Sequence, residues 1–316
     1  MPRLVLEDDA RVNISQVRGV DFYAEECSPR RREGEASSSK FTLIIHGLNS
    51  HARNPNVRAM SVALAIRGTT CVSFDLPGHG ECASGDHGDV RGIWTGRAKT
   101  LERIARALDA SDAPESITIV GSSMGGALAI YAANELKMAG TRTIERVVLI
   151  NPLMRMKLYL PGVALAALRL AAIVAPGVEV SSRPQDKVND DDAPEGTAKM
   201  DFDDEGQKQC DADELTYKGG VTLRTGVELY ALTRHNAGAR AEDCGMVRLS
   251  FTTPVLLLTG GRDEVVDPDA ATQQVKLAMS AGGKVEHKKF PNAGHSLTLQ
   301  SRREEVFDLV ADWRWL

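Results

Sequence analysis

Short apolar runs alternate with amphipathic segments along most of the chain, and this alternation predicts a mostly parallel sheet flanked by helices. Buried strands are predicted in the runs FTLIIHG, ITIV, IERVVLI, PVLLL and KVEHKKF. Helices are predicted in GIWTGRAKTLERIARALDA, in ALAIYAANELK and in the closing RREEVFDLVADWRWL. Ahead of these elements, Val12 to Cys27 predicts a strand pair with a turn at Gly19, and PRRREGEASSSK predicts an exposed loop.

The regular alternation stops between Pro152 and Leu249, which predicts an insertion on the core domain. The insertion begins with an apolar stretch, LPGVALAALRLAAIVAPG, and ends with the helical LRTGVELYALTRH. Between them, KVNDDDAPEGTAKMDFDDEGQKQCDADEL is acidic and poor in large apolar residues, so we expect an exposed, mobile loop. The predicted division is a core domain at 1–151 and 250–316, with a helical cap at 152–249.

Composition limits the classes of function. The 316 residues are 42% hydrophobic and 26% charged, as in an ordinary globular protein, and the net charge of -5 gives no reason to expect nucleic-acid binding. Five cysteines without a C-x-x-C pair argue against a metal site or a disulfide framework. The acidic run also lacks the ligand spacing of a calcium-binding loop. No apolar run reaches the roughly 20 residues of a membrane span, and the charged amino terminus favours a cytoplasmic protein.

Candidate chemistry begins where the run ITIV meets GSSMGG. The pattern G-x-S-x-G is formed by Gly121, Ser123 and Gly125, with a predicted strand before it and a predicted helix after it. In this context a serine sits on a strained turn that exposes its hydroxyl above the sheet, and its close-packed neighbours have to be glycine. Ser123 is therefore the candidate nucleophile, and it requires a base, an orienting acid and oxyanion donors.

The acid and the base are predicted in two later loops. Asp263 follows the strand VLLLTG and His295 follows the strand KVEHKKF, so the chain order is serine, aspartate, histidine. Glu264 and Asp267 are alternatives for the acid, although Asp267 precedes Pro268 and is better explained as a helix cap. The alternatives for the base are less well placed than His295, and they are His46, His79, His235 and His287. The oxyanion donors are assigned to the backbone N–H groups of Leu48, in the loop HGLNSHARNP, and of Met124.

The whole set of motifs resembles the α/β-hydrolase superfamily, and within it the monoacylglycerol lipase or lysophospholipase group. The similar segments are VRGVDFYAEECSP, IIHGLNSH, FDLPGHGECASG, GSSMGGALA, INPLMRM, YKGGVTLRTGVEL, LLLTGGRDEVVDP and FPNAGHSL. The resemblance implies an α/β-hydrolase fold with a cap and the hydrolysis of an ester through an acyl-enzyme, without a metal or cofactor. Two features depart from the group: the acidic stretch from Lys187 to Glu214 is long, and Asn151 replaces a small residue before Pro152.

The sequence leaves several functions open. A dehalogenase or an epoxide hydrolase would carry aspartate at the apex, so Ser123 argues against both. A carboxylesterase, a thioesterase, a peptidase or a ligand-binding homologue without turnover remains an alternative, because fold and triad do not identify the leaving group. The expected partner is a small lipid-like ester. We also expect that Leu160 to Ala175 packs on the core or contacts a membrane surface through an apolar face at the pocket mouth, formed by Val163, Leu165, Leu168 and Ile173.

Overall fold

A computed structural model describes residues 10–30, 40–83, 89–156, 160–183, 201 and 203–315. Its main feature is an eight-stranded sheet with the strand order β1-β2-β4-β3-β5-β6-β9-β10. These strands are β1 (Val12–Gln16), β2 (Ala24–Pro29), β3 (Phe41–Ile45), β4 (Thr70–Phe74), β5 (Ser116–Ser122), β6 (Thr143–Ile150), β9 (Val255–Gly260) and β10 (Val285–Phe290), and a separate two-stranded sheet pairs β7 (Glu179–Ser181) with β8 (Val221–Thr222).

The sheet is mostly parallel, as the sequence pattern predicted. The pairs β1/β2 and β2/β4 are antiparallel, and the pairings from β4 through β10 are parallel. Side chains alternate between two apolar clusters on opposite faces: Leu43 and Ile45 belong to one cluster, and Ile44 belongs to the other. This period of two explains why a strand buried on both faces reads as a continuous apolar run.

Helices cover both faces of the sheet. Those on one face contribute to the cluster that contains Leu43, and they are α2 (Arg97–Ala110), α3 (Met124–Met138), α7 (Gly245–Ser250) and α8 (Pro268–Ser280). The other face is covered by α1 (Pro55–Ile66) and α9 (Arg303–Asp312). The remaining helices belong to the stretch between β6 and β9, and they are α4 (Gly162–Val174), α5 (Asp204–Ala212) and α6 (Leu223–Ala237).

The acidic run was predicted to be an exposed, mobile loop, and the prediction of a loop is wrong for residues 204–212, which are helical. Residues 204–212 form α5, and Asp203 caps that helix by accepting a hydrogen bond from the Gly206 N–H at 3.0 Å. The Asp203 carboxylate is buried and also accepts from Arg303 at 2.6 Å, while Cys210 packs against Leu299. Arg303 therefore pairs with one carboxylate that the composition assigned to solvent, while Asp204, Glu205, Asp211 and Glu214 are exposed. Residues 184–200 and 202 lie outside the described residues, as does the predicted loop at 31–39.

The carboxyl ends of the parallel strands define the functional edge of the sheet. Loops that follow β3, β5, β6, β9 and β10 all leave from this edge, because parallel strands point the same way. Ligands of open α/β sheets bind outside this edge. The sequence-predicted residues Leu48, Ser123, Asp263 and His295 all lie in these loops or turns.

A buried arginine attaches the last helix to the sheet. Arg146 lies on β6 with 7% of its surface exposed, and its guanidinium donates to the carbonyl groups of Val310 (3.0 Å), Ala311 (2.8 Å) and Trp313. Burial lowers the pKa of Arg146 to about 10, which still leaves the group charged at neutral pH. The side chain thus satisfies carbonyl groups at the end of α9 that have no partner inside the helix.

We predict that Arg146→Met lowers the free energy of unfolding by about 2 to 4 kcal/mol, because it removes three charge-assisted hydrogen bonds to buried carbonyl groups. The matched control is Arg240→Met, since Arg240 forms an exposed pair with Glu242 at 3.7 Å. Such surface pairs contribute at most about 1 kcal/mol. Denaturant unfolding of both variants measures the difference, and equal losses would contradict the role assigned to Arg146.

Candidate active site

Ser123 lies at a strained turn between β5 and α3. Its backbone has φ 56° and ψ −121°, a left-handed conformation that non-glycine residues rarely adopt. The glycines of the motif make this turn possible: a Cβ at Gly121 would lie 2.1 Å from the Gly125 carbonyl oxygen, and a Cβ at Gly125 would lie 2.1 Å from that of Ile45. The structure therefore gives the physical reason for both glycines that the motif requires.

His295 and Asp263 form a hydrogen-bonded pair. The Nδ1 atom of His295 donates to Oδ2 of Asp263 at 2.8 Å. The other carboxylate oxygen accepts the backbone N–H groups of Val265 (2.9 Å) and Val266 (3.0 Å). Because Asp263 is 7% exposed and bonded through both oxygens, it holds the imidazole ring in one orientation.

The alternative acids do not take this position. Asp267 caps α8 by accepting the N–H groups of Asp269 (3.1 Å) and Ala270 (3.2 Å), as predicted, and it forms an ion pair with Arg155 at 2.6 Å. Partial burial acts to raise the pKa of Asp267, but the hydrogen bonds from Arg155 and the helix outweigh it, so the pKa is lowered. Glu264 is exposed. Of the three carboxylates, Asp263 is the one that contacts His295.

His46 and His79 are buried beside the loop that contains Leu48. His46 uses both ring nitrogens, donating from Nδ1 to the Gly47 carbonyl at 2.8 Å and accepting the Leu76 N–H at Nε2 at 3.1 Å. Burial and the nearby His79 lower the pKa of His46 well below its usual value, and burial lowers the pKa of His79 to about 4. Both rings are therefore neutral at neutral pH, and His79 bonds through Nδ1 to the Pro77 carbonyl at 2.9 Å.

The two remaining alternatives lie elsewhere. His235 packs edge-on against Tyr131 with the ring centroids 5.2 Å apart, and His287 bonds to Thr259 on the neighbouring strand at 2.7 Å. His295 lines the cavity together with Ser123. His46 also borders the same cavity, but its ring nitrogens are already engaged.

The cavity above the sheet has a volume of about 940 Å³ and brings together Leu48, Ser123, Met124 and His295. One set of lining residues is apolar and comes from the segment between β6 and β9. This set, the apolar wall, consists of Leu153, Met156, Leu160, Leu168, Leu223 and Val227. A second set comes mainly from α1 and α5 with their flanking residues, and this polar wall consists of Asn54, Asn56, Gln207, Asp211 and Thr216. The cavity therefore has an amphipathic lining.

The two predicted oxyanion donors are placed differently in the backbone. Met124 is the first residue of α3, and N–H groups in the first turn of a helix have no carbonyl partner within the helix. Leu48 precedes Asn49 in a turn that is closed by the Ser50 N–H and the Gly47 carbonyl at 3.4 Å. A Cβ at Gly47 would lie 3.3 Å from that of Ser123, so this turn approaches the serine closely.

The structure reveals two features that the sequence reasoning missed. Asn151, at the end of β6, donates to the carbonyl groups of Gly294 (3.1 Å) and His295 (2.6 Å). The sequence contained one sign of this role, because an asparagine precedes Pro152 where the group that the chain resembles has a small residue. The second feature is α5, which contributes Gln207, Cys210 and Asp211 to the cavity lining.

The cap helix α4 is exposed along most of its length. Ala172 is its one buried residue, and Leu168 reaches the cavity lining. Val163 and Ile173 are 85% and 69% exposed, while Leu165 is half-buried. Among the residues that the structure describes, no helix has both the length and the apolar content needed to cross a bilayer. That part of the chain also shows no group of three or more His, Cys, Asp or Glu residues able to hold a metal ion.

Solved structures with the same fold include several hydrolases. A monoacylglycerol lipase from Paleococcus ferrophilus is 19% identical, with a TM-score of 0.68, and the match covers 92% of this chain and 97% of that one. A soluble variant of monoglyceride lipase from Saccharomyces cerevisiae is 15% identical, with a TM-score of 0.66 and coverages of 99% and 98%. A carboxyl esterase from Bacillus coagulans is 16% identical, with a TM-score of 0.64 and coverages of 96% and 97%. At these identities the likeness shows the fold.

No protein with a curated description matches the sequence. A family model described as "Serine aminopeptidase, S33" matches residues 36–301, which is most of the chain. The matched range includes every candidate site residue from Leu48 to His295. The chain therefore belongs to the serine aminopeptidase S33 family of hydrolases and has the α/β-hydrolase fold.

Proposed function

We propose that this protein is a serine hydrolase that cleaves carboxylic esters of lipid-like substrates, of the monoacylglycerol lipase or lysophospholipase type. The observation that carries the proposal is the meeting of the strained Ser123 turn and the His295–Asp263 pair in one amphipathic cavity. A nucleophile, a base and an orienting acid are the parts that acyl transfer needs, and the cavity supplies a place for an acyl chain.

The proposed reaction runs through an acyl-enzyme. Ser123 Oγ attacks the ester carbonyl carbon while Nε2 of His295 accepts the hydroxyl proton, and Asp263 stabilises the imidazolium that forms. The oxyanion accepts hydrogen bonds from the N–H groups of Leu48 and Met124. The intermediate then expels the alcohol, which takes the proton from His295. Water, activated by the same histidine, hydrolyses the acyl-serine and restores the free enzyme.

The lining of the cavity supports a substrate with one apolar and one polar part. The apolar wall fits an acyl chain. On the polar side, Gln207 and Thr216 line the cavity with an amide and a hydroxyl group. Side chains of this kind can replace the hydrogen bonds that the hydroxyl groups of a polar head group make in water. An ester of one fatty acid with a small polar alcohol has both parts.

Peptide hydrolysis is the second candidate, because the family takes its name from an aminopeptidase. An aminopeptidase has to bind the charged amino group of its substrate, and a carboxylate in the pocket is the usual means. Among the described residues that line the cavity, the one carboxylate is Asp211, and it forms an ion pair with Arg183 at 3.3 Å. This pairing favours a neutral ester over a peptide with a free amino terminus.

The exposed cap helix supports a second part of the proposal, which is transient contact of α4 with a lipid surface. Its exposed apolar side chains are Val163, Leu170, Ile173 and Val174, interrupted by the single charge of Arg169. An apolar helix face beside a cavity for lipid esters would let a substrate leave a membrane without crossing bulk water.

All five cysteines are buried and unpaired, which supports the predicted cytoplasmic setting.

We predict that Ser123→Ala lowers turnover of an aryl ester by about a million-fold while the melting temperature stays close to that of the wild type. Ser122→Ala is the matched control, because Ser122 is adjacent, also lines the cavity and has no proposed role. It should keep most of the activity. Equal losses in the two variants would show that the nucleophile is misassigned.

We predict that an octanoyl or longer monoacylglycerol is hydrolysed faster than either a triacylglycerol or an aminoacyl amide. A single chain can enter beneath the cap, whereas a triacylglycerol would have to displace it, and an amide has a poorer leaving group. Initial rates at matched concentrations below micelle formation test this order, with Ser123→Ala as the blank. A preference for aminoacyl amides, or for acetyl over octanoyl esters, would contradict the lipid-monoester assignment.

We predict that the wild type floats with phosphatidylcholine vesicles in a density gradient and that Val163→Ser combined with Ile173→Ser reduces the bound fraction several-fold. Each change removes exposed apolar area from α4. Met279→Ser is the control, because Met279 is a similarly exposed apolar residue on α8, away from the cap. Flotation of none of the three proteins, or equal flotation of all three, would refute the surface contact.

A further inference from the structure

The segment that follows β6 touches the backbone around Ser123. The Ser123 N–H donates to the Ile150 carbonyl at 2.9 Å, and the Leu153 N–H donates to the Ser123 carbonyl at 2.9 Å. Asn151 lies between these two contacts and is 1% exposed. Its own backbone N–H donates to the Leu258 carbonyl on β9 at 2.9 Å. The segment therefore joins the nucleophile turn to the strand that leads to Asp263.

The Asn151 side chain extends these links to the histidine loop. Its Nδ2 atom donates one hydrogen bond to the Gly294 carbonyl at 3.1 Å and one to the His295 carbonyl at 2.6 Å. Its Oδ1 atom accepts the Gly260 N–H, at the end of β9, at 2.8 Å. One buried amide thus bonds to the backbone of His295 itself and to the strand end three residues before Asp263.

Few side chains can make this set of bonds. An asparagine amide has two N–H donors and one carbonyl acceptor, and here both donors and the acceptor are used. Aspartate of the same size has no donor when ionised, and serine has a single hydroxyl that reaches less far. The backbone of Asn151 has φ 40°, a left-handed conformation that asparagine tolerates better than most residues.

We propose that Asn151 is a positioning residue that sets the place of His295 relative to Asp263 and Ser123. The role rests on the proposed serine mechanism, and Asn151 acts through the backbone of the histidine loop rather than by touching the reacting atoms. The two hydrogen bonds from Nδ2 hold the backbone of the histidine loop at Gly294 and His295. The bond to Oδ1 attaches the same amide to the end of β9. Displacement of a catalytic base by about 1 Å can cost on the order of a hundred-fold in rate.

A purely structural role would give a different result. Losing a buried amide anywhere in the core lowers stability, but a folded protein would then react at the normal rate. Asn134 provides the comparison, because its Nδ2 atom also donates to two backbone carbonyl groups, those of Ile130 (2.9 Å) and Gly245 (3.0 Å). Asn134 is half-buried on α3 away from the cavity lining, so Asn134→Ser removes two bonds from an amide to backbone carbonyl groups without touching the histidine loop.

The test uses the full chain with Asn151→Asp, Asn151→Ser and Asn134→Ser. Asn151→Asp keeps the size and the acceptor but replaces the donors with a carboxylate facing two carbonyl oxygens. Asn151→Ser is the second variant, because a small residue at this position is compatible with the group that the chain resembles. For each folded protein, the rate of labelling of Ser123 by an alkyl fluorophosphonate is measured, together with kcat and KM for an aryl ester. The low-field proton resonance of the His295 Nδ1–H group is recorded as a readout that needs no turnover.

Positioning by Asn151 predicts labelling and kcat that are about 10- to 100-fold lower in both Asn151 variants, with KM changed by less than about three-fold. It also predicts that the His295 resonance is lost or broadened in these variants and intact in Asn134→Ser. Wild-type rates in folded Asn151→Asp and Asn151→Ser would overturn the role of Asn151 alone. Failure of the wild type to label at Ser123 would instead overturn the serine mechanism, and with it this role.

Discussion

Close backbone packing on both sides of Ser123 is the constraint on which the site depends. A Cβ at Gly125 would lie 2.1 Å from the carbonyl oxygen of Ile45, so the first turn of α3 lies directly against the end of β3. Because β3 leads into the loop that contains Leu48, this contact also sets how near that loop comes to the serine. The left-handed backbone at Ser123 follows from the same packing and directs the side chain toward the cavity. The loops that carry Leu48, Asp263 and His295 therefore have to bring these residues close to the Ser123 side chain.

The order of elements in the chain explains why much of this arrangement could be predicted. Ser123, Asp263 and His295 each follow a predicted strand, and parallel strands bring their carboxyl ends to one edge of the sheet. Local sequence therefore placed all three residues at the same edge. The assignment of Asp267 to a helix cap followed equally from a local signal, the proline after it, and the structure confirms the cap.

What could not be predicted depends on contacts between distant parts of the chain. Asn151 bonds to residues 109 and 143 positions away, and no local pattern records such a partner. The prediction of a loop for the acidic run failed for the same reason. Its composition favours exposure to solvent unless a specific cation or apolar surface elsewhere in the chain binds it. Arg303 donates a hydrogen bond to Asp203, and His51 bonds to Asp213 at 2.9 Å. These long-range contacts hold the two ends of α5 against the core, and α5 contributes Gln207, Cys210 and Asp211 to the cavity lining.

The proposed substrate follows from how the two sides of the cavity differ. Apolar side chains from the segment between β6 and β9 line one side of the cavity, while Asn54, Gln207 and Thr216 line the other. Neither wall alone separates a lipid ester from other esters, since many α/β hydrolases have apolar pockets. Together they are the basis for proposing an amphipathic substrate with one chain, whose carbonyl would lie between the Ser123 hydroxyl and the backbone at Leu48 and Met124.

A crystal structure of the covalent adduct with a long-chain alkyl fluorophosphonate would test the assigned nucleophile, the oxyanion donors and the site of the acyl chain together. The reagent places a tetrahedral phosphorus where the ester carbonyl would be attacked, so its oxygen stands in for the oxyanion. The proposed serine mechanism predicts a bond from Ser123 Oγ to phosphorus, with the phosphoryl oxygen within hydrogen-bond distance of the N–H groups of Leu48 and Met124. It also predicts that the alkyl chain lies along the apolar wall. An adduct on another residue, or a phosphoryl oxygen directed away from both N–H groups, would contradict it.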